Sequence, residues 1–308
     1  MKSVNILAVG NGVGISRDVD IIKRLLIADG YEVEANHCFK FKPYRRYDLQ
    51  IHLERFNPHI FPIADVNVMI PNQEWFEKPW LGFLKNFDAF FTKTAFATKI
   101  FNDLGVKTEF IGFTSEDRYI PTVKKDPYHW VHVAGKSIQK QTEMVIRTWE
   151  KNPGFPQLTI IQDPRFWKPR TLSKNINYMI DRVSEDVLKI IQNTSVIHVC
   201  PSVTEGFGHY IMEAMSAKSI VLTTDGPPMN ELVTKERGIL IPSSRNEPMN
   251  LSTKFYVDEH SLAEAVIKTT IMDDGLKNDM ANAAREFFLR NDAEFQVKLL
   301  NAIRSIIS

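Results

Sequence analysis

Short apolar runs, separated by helical periods and glycine turns, recur along the whole chain, and their alternation predicts two successive α/β domains. Val4 to Val9 reads as an apolar strand that empties into Gly10, Gly12 and Gly14, and Ser16 to Ala28 follows with helical spacing. Gly30 closes that helix and Tyr31 to Ala35 alternates as a second strand, so a βαβ unit opens the chain. Further strands are predicted at Asp65 to Ile70, Phe87 to Phe91 and Thr108 to Phe113. Between Thr114 and Tyr128 the chain turns polar and proline-bearing without an apolar period, which marks a linker.

Beyond that stretch the alternation restarts with a strand at His129 to Ala134 and a helix at Gln139 to Glu150. Strands are predicted at Leu158 to Ile161, Asn177 to Ile180 and Val196 to Val199, with a helix at Ser184 to Gln192 that has Ser184 as its N-cap. A glycine loop after Pro201 leads into a helix near Tyr210 to Ala217, followed by strands at Ile220 to Thr223 and Gly238 to Ile241 and helices to the end. Residues 1–120 and 121–290 are the expected α/β domains.

Composition narrows the partners. With 44 % hydrophobic residues over 308 positions, there is apolar mass for two cores. Lys plus Arg number 38 against 37 Asp plus Glu, so at a net charge of +1 no global field draws the protein to nucleic acid or an anionic membrane. Cys38 and Cys200 form no CxxC pattern, which argues against a disulfide framework or a cysteine zinc site and favours a reducing, cytoplasmic compartment. The start has no signal-peptide pattern and no apolar run is long enough for a membrane span.

Several motifs fail on spacing. The run Gly10, Gly12, Gly14 misses the dinucleotide fingerprint by one position, although the helix N-terminus after it can still hold a phosphate. Gly135-Lys136-Ser137 lacks the first glycine of a P-loop, and no Gly-x-Ser-x-Gly elbow exists. Asp18 and Asp20, two apart in a predicted helix, point to different sides and read as a solvated face rather than a metal pair. His129 and His132 lack a third ligand at metal spacing.

The densest signal is PSVTEGFGHYIMEAM, from Pro201 to Met215. Glu205 sits at the mouth of a helix and Glu213 about 7.5 Å further along its axis, so both can face one cleft. Between them Gly206 and Gly208 allow close backbone approach at the positive end of the helix, which suits a pyrophosphate or sugar hydroxyls. An ionised carboxylate only accepts hydrogen bonds, so Glu213 suits a diol such as ribose and Glu205 a second ring. Equally, Glu205 alone reads as part of a cap and Glu213 as a surface residue. Lys136 and Lys140, four apart near the mouth of the helix at Gln139, supply the charge that a departing diphosphate needs, or else form an exposed lysine pair.

From Trp130 to Val233 the chain resembles the donor-binding domain of retaining GT-B glycosyltransferases, most of all family 4, whose pattern of two glutamates seven residues apart it shares. Where that family has Gly-Arg and then Lys-Gly, this chain has Gly135-Lys136 and then Lys140-Gln141. The resemblance implies two Rossmann-like domains facing each other across a cleft that holds the active site, residues 1–120 on the acceptor side and 121–290 binding the nucleotide-sugar donor, with segment 291–308 as a helix packing back on the first domain. It also implies a hexose transferred with retention from a nucleotide-diphosphate sugar to a glycan, lipid-linked or other hydroxyl acceptor, without metal or other cofactor. In that division of labour Glu205 contacts the sugar, Glu213 the ribose, Lys140 and Lys136 the diphosphate, and the segment of Gly206, Phe207 and Gly208 the donor. Gly12, Gly14 and Arg17 are expected near the donor phosphates. Where many members carry a histidine for the donor sugar, this chain reads Ile70-Pro71-Asn72, so Asn72 or Glu74 is the substitute, or the segment is a plain turn.

Between His37 and Tyr47 basic and aromatic residues mix, which fits an anionic acceptor or weak peripheral contact with lipid headgroups, though a solvated loop with a few buried rings accounts for it better. Two other functional classes remain compatible with the residues: a nucleotide-sugar epimerase or phosphorylase using a similar cleft, and a non-catalytic nucleotide-sugar-binding protein. A dinucleotide dehydrogenase rests only on the imperfect glycine loop.

Overall fold

Each of the two six-stranded sheets is built from parallel strands. The computed structural model describes every residue except Asn11, Val13, Arg182 and Ser308, so two members of the Gly10 to Gly14 run lie outside the described residues. The chain divides into a first unit of Met1–Ser115, Pro248–Thr253 and Asn291–Ser308, and a second of Glu116–Glu247 and Lys254–Arg290. Segment 248–253, expected in the second domain from chain order, groups with the first.

The first unit runs β1 (Ser3–Ala8), α1 (Gly14–Ala28), β2 (Glu32–His37), β3 (Tyr47–Leu53), β4 (Ala64–Ile70), β5 (Ala89–Thr92), α2 (Ala95–Asp103) and β6 (Thr108–Phe110). Its sheet order is β2-β1-β3-β4-β5-β6. The apolar pattern misses β3 because Asp48, Gln50 and His52 alternate along it and mimic a solvent face. The structure buries that face: Gln50 and His52 are 0 % exposed. His52 stands edge-on to Phe61 and Phe87 at 5.3 and 5.4 Å, and burial lowers its pKa to about 4, so it is a neutral core residue.

The second unit runs β7 (Asp126–Gly135), α3 (Thr142–Lys151), β8 (Gln157–Gln162), β9 (Ile176–Met179), α4 (Glu185–Thr194), β10 (Ser195–Cys200), α5 (His209–Ser216), β11 (Ile220–Asp225), α6 (Met229–Leu232) and β12 (Ile239–Pro242). A two-stranded hairpin, β13 (Arg245–Met249) and β14 (Ser252–Tyr256), precedes α7 (Glu259–Thr270) and the long α8 (Asp274–Ile306). The sheet order is β12-β11-β10-β7-β8-β9. Trp130 and Trp149, 6.0 Å apart, anchor its core with Val145, Leu158 and Leu222. Helix α4 starts as its sequence dictates, with Ser184 Oγ accepting from Val187 N and two acidic residues complementing the helix dipole.

The expected linker at Thr114 to Tyr128 is tightly integrated. Arg118 is 2 % exposed, Asn193 Oδ1 accepts from Ile120 N at 2.8 Å, and Lys125 Nζ donates to Asn193 O, Ser195 O and Ser219 Oγ. Those three oxygens are neutral, and burial lowers the Lys125 pKa to about 7. Polar side chains that satisfy buried backbone carry no apolar period, so the stretch reads as loop in sequence.

Both strand orders reverse direction once, between β1 and β3 in the first sheet and between β7 and β10 in the second. In open parallel sheets ligands bind outside the carboxyl ends of the strands at such points. The exits of those four strands are therefore the places to look.

Candidate active site

The loops leaving β7 and β10 are fastened to each other at the second sheet's switch point. Val203 N donates to Gln139 O and Gln141 Nε2 to Pro201 O, both at 2.8 Å, and Phe255 N donates to Val203 O at 2.7 Å. After Gly135 the chain makes a 3-10 turn at Ile138–Lys140, and α3 starts only at Thr142. Gln141 occupies the left-handed region with φ 50°. Its backbone therefore takes the conformation that favours glycine, while its side chain adds the tie to Pro201. Because α3 starts only after both, Lys136 and Lys140 do not share an α-helical face, which corrects the expected lysine pair. Lys136 is exposed and acts on Asp163, whose carboxyl is held down to about 2 chiefly by hydrogen bonds from Arg165.

Lys140 turns inward. Its Nζ donates to Val133 O at 2.8 Å and lies 3.9 Å from the centre of the Tyr210 ring. Ser202 Oγ donates to Glu205 Oε1 at 2.6 Å and is 2.5 Å from Tyr210 OH. A serine has one proton to give, so the Tyr210 hydroxyl donates to Ser202 and Ser202 to Glu205. Burial raises the Glu205 pKa, and the positive charge of Lys140 opposes that rise. Glu205 and Lys140 thus belong to one electrostatic site, joined through Tyr210 and Ser202. Tyr210 was not singled out in the sequence; its position in the first turn of α5, just past the Glu205 loop, was the available signal.

Gly208, with φ 113°, precedes α5, and a Cβ there would meet the Leu232 and Ile211 side chains at 3.1 and 3.4 Å. Glycine is required at that turn both by backbone conformation and by space. Gly206 is buried, and Phe207 is 4 % exposed with its ring against His209, so any part of Phe207 in ligand binding falls to its backbone.

Glu213 lies within the protein, not at a solvent-facing surface. It is 2 % exposed, accepts from Gln192 Nε2 at 3.0 Å and stands 3.7 Å from the guanidinium of Arg118. Arg118 also pairs with Glu116 and Glu185 at 3.1 and 2.6 Å. Sequence reasoning missed Arg118 because a single arginine in a polar stretch has no pattern to mark it.

In the first unit Gly12 (φ 69°) is exposed and its N donates to Ser16 Oγ at 3.1 Å, while Gly14 begins α1 and Arg17 is half-buried on it. Asn72 has both ends of its amide engaged within the unit, by Lys93 and by Glu54, so it is bound by protein groups on either side. Asp18, expected on a solvated face, is 1 % exposed and paired with Lys93, whereas Asp20 is exposed. In the basic and aromatic segment, Arg45 is paired with Glu32 and Glu34 and lies over the Tyr44 and Tyr47 rings, and Arg46 pairs with Asp65. Those arginines are already neutralised by the protein, which weakens the case for a lipid-headgroup grip. Burial lowers the His132 pKa to about 4, so the ring is neutral: its Nδ1 donates to Val199 O and its Nε2 accepts from Thr142 Oγ1. Among the described residues no group of three His, Cys, Asp or Glu side chains gathers to hold a metal, and no helix is long and apolar enough to cross a membrane.

Residues 168–287 match the family model described as glycosyl transferases group 1. That segment carries the match to group 1 transferases, and solved structures share the fold of the chain. A sucrose-phosphate synthase from Thermosynechococcus elongatus superposes with a TM-score of 0.73 at 13 % identity, with 99 % of each chain covered. Anabaena HepE in complex with UDP-glucose gives 0.72 at 14 % identity, covering 99 % of this chain and 100 % of that one. The pneumococcal O-GlcNAc transferase GtfA in complex with UDP and GlcNAc gives 0.66 at 12 % identity over 84 % of this chain, which spans only 57 % of the length of GtfA. Among curated proteins none matches the chain in sequence. The group 1 segment contains Glu205, Tyr210 and Glu213, and Lys140 precedes it.

Proposed function

We propose that this chain is a hexosyltransferase that takes its sugar from a nucleoside diphosphate donor, retains the anomeric configuration and needs no metal. The observation that carries the proposal is the chain of contacts from Lys140 through Tyr210 and Ser202 to Glu205 beside the turn that opens α5, at the switch point of the second sheet. A diphosphate is a doubly charged leaving group. The Lys140 ammonium and the backbone N–H groups at the start of α5 favour its charge as it develops, in a setting where burial strengthens each interaction. Glu205, fixed by Ser202, accepts from hydroxyls of the transferred sugar.

In the same-face route, the acceptor oxygen bonds to the anomeric carbon on the side from which the diphosphate leaves. The broken carbon–oxygen bond gives its electron pair to the phosphate oxygen, which takes up the acceptor's proton. Lys140 supplies charge to that oxygen and no proton transfer of its own is required. The deep placement of Glu213 against Gln192 and Arg118 makes it the support of the α5 helix first, with a ribose contact reached only from its carboxylate edge.

The neighbours solved with UDP and UDP-glucose make UDP-hexoses the donors to try first. Calorimetry with UDP, and turnover of UDP-glucose against glycan, lipid-linked and small hydroxyl acceptors, tests the reading. Binding of UDP with sugar transfer unchanged by EDTA is expected. Donor isomerised without any acceptor points to an epimerase, and no binding of any nucleotide sugar sinks the proposal.

A further inference from the structure

At the switch point of the first sheet, where the exits of β1 and β3 adjoin, one acidic residue has an unusual backbone. Glu54 is the first residue past β3, and its φ of 60° places it in the left-handed region, costly for a residue with a Cβ. Its N donates to Ile70 O at 3.0 Å. Its carboxylate Oε2 accepts from Asn72 Nδ2 at 2.7 Å, Asn72 Oδ1 accepts from Lys93 Nζ at 3.1 Å, and Lys93 Nζ donates to Asp18 Oδ2 at 2.5 Å.

The inner members of this chain are 1 % (Asp18), 4 % (Lys93) and 9 % (Asn72) exposed, whereas Glu54 at its end is half-buried. Lys93 is balanced by Asp18, so Asn72 passes orientation but no compensating charge to Glu54. The carboxylate is thus held in one direction, and among the described residues Asn72 is its sole hydrogen-bond partner. Oε1 can only accept, which calls for hydroxyl donors. One 3-10 turn beyond Asn72, the indole of Trp75 is 38 % exposed and offers a flat apolar surface of the sort that sugar rings cover.

We propose that Glu54 is a sugar-hydroxyl-binding residue at the β1/β3 switch point, that its ligand is a hexopyranose, and that Asn72 and Lys93 are its positioning residues. Taken with the transferase reading, on which this last step rests, that sugar is the acceptor. A strained, oriented carboxylate outside the carboxyl ends of parallel strands is placed where such sheets bind ligands.

Saturation-transfer NMR on the whole chain, with methyl α-glucoside, methyl α-mannoside and methyl β-galactoside at up to about 100 mM, tests it. At least one glycoside is expected to bind, and Glu54→Gln to weaken it by about tenfold or more. In the wild-type protein, carbodiimide labelling of Glu54 read by mass spectrometry should slow when that glycoside is present. No glycoside binding, equal binding by the variant, or labelling indifferent to a bound glycoside overturns the proposal. A parallel UDP titration separates the two readings: glycoside binding through Glu54 without any UDP binding defeats the donor site alone, and the reverse defeats this inference alone.

Discussion

The ammonium of Lys140 lies 3.9 Å from the centre of the Tyr210 ring, and the hydroxyl of that ring leads through Ser202 to Glu205. One aromatic side chain thereby places both the cation and the carboxylate of the candidate site.

Lys140→Met removes the charge that meets the leaving diphosphate. We expect kcat to fall by about 100- to 1000-fold with a smaller change in donor KM, as when one transition-state donor is deleted. Tyr210→Leu keeps the lysine but takes away its aromatic face and the hydroxyl behind Ser202. A loss of about tenfold in kcat is expected, while Tyr210→Phe, which keeps the face, should lose less. Steady-state kinetics with a UDP-hexose reads all three, and full turnover by Lys140→Met contradicts the leaving-group role.

Glu205 pays a burial penalty when ionised, since its folded pKa is raised above the ordinary carboxylate value. Between the unfolded and folded values the native state binds more protons than the unfolded one, so this group's contribution to stability falls as pH rises and the whole cost is present at neutral pH. Glu205→Gln should therefore raise Tm at pH 7.5 while abolishing transfer, and its advantage should shrink as pH is lowered towards 4. Calorimetric scans across that range check it; a variant less stable at every pH refutes the sign.

Arg118 and Glu213 are each 2 % exposed, and removing one partner strands the other. Arg118→Met is expected to cost roughly 3–5 kcal/mol, the usual penalty for an uncompensated buried charge. Glu213→Gln, which keeps a group able to bond Gln192, should cost less. Urea unfolding gives both values, and an Arg118→Met protein as stable as the wild type would contradict the buried network.

The Asp18 and Lys93 pair obeys the same logic in the first unit, with exposures of 2 % and 3 % for the two side chains. Lys93→Met alone should destabilise by roughly 3–5 kcal/mol, and the double variant with Asp18→Leu should recover most of it, because replacing a whole buried pair by apolar groups is often nearly neutral. A double variant no better than the single one argues against direct pairing.

Much of the plan was legible in one dimension. Strands buried on both faces are mostly apolar, so VNILAV, HWVHVA and VIHV announce parallel sheets. Glycines 206 and 208, spaced between two glutamates, likewise pointed to a tight ligand-facing turn, and Gly208 adopts the backbone that only glycine takes easily. Strand β3 and the 114–128 stretch escaped because polar residues such as His52 and Arg118 are buried against groups distant in sequence, and a hydropathy pattern cannot distinguish a buried polar group from a solvated one.

Local sequence determined which elements form, since propensity, capping and apolar period act within a few residues. Tertiary structure alone decided the partners of each charge: Lys140 with Tyr210 and not Lys136, Asp18 with Lys93 across 75 residues, and Glu213 with Arg118. Charges are held by whichever opposite or aromatic group the fold brings within a few ångströms, and that proximity is set by strand order, which no window along the chain contains.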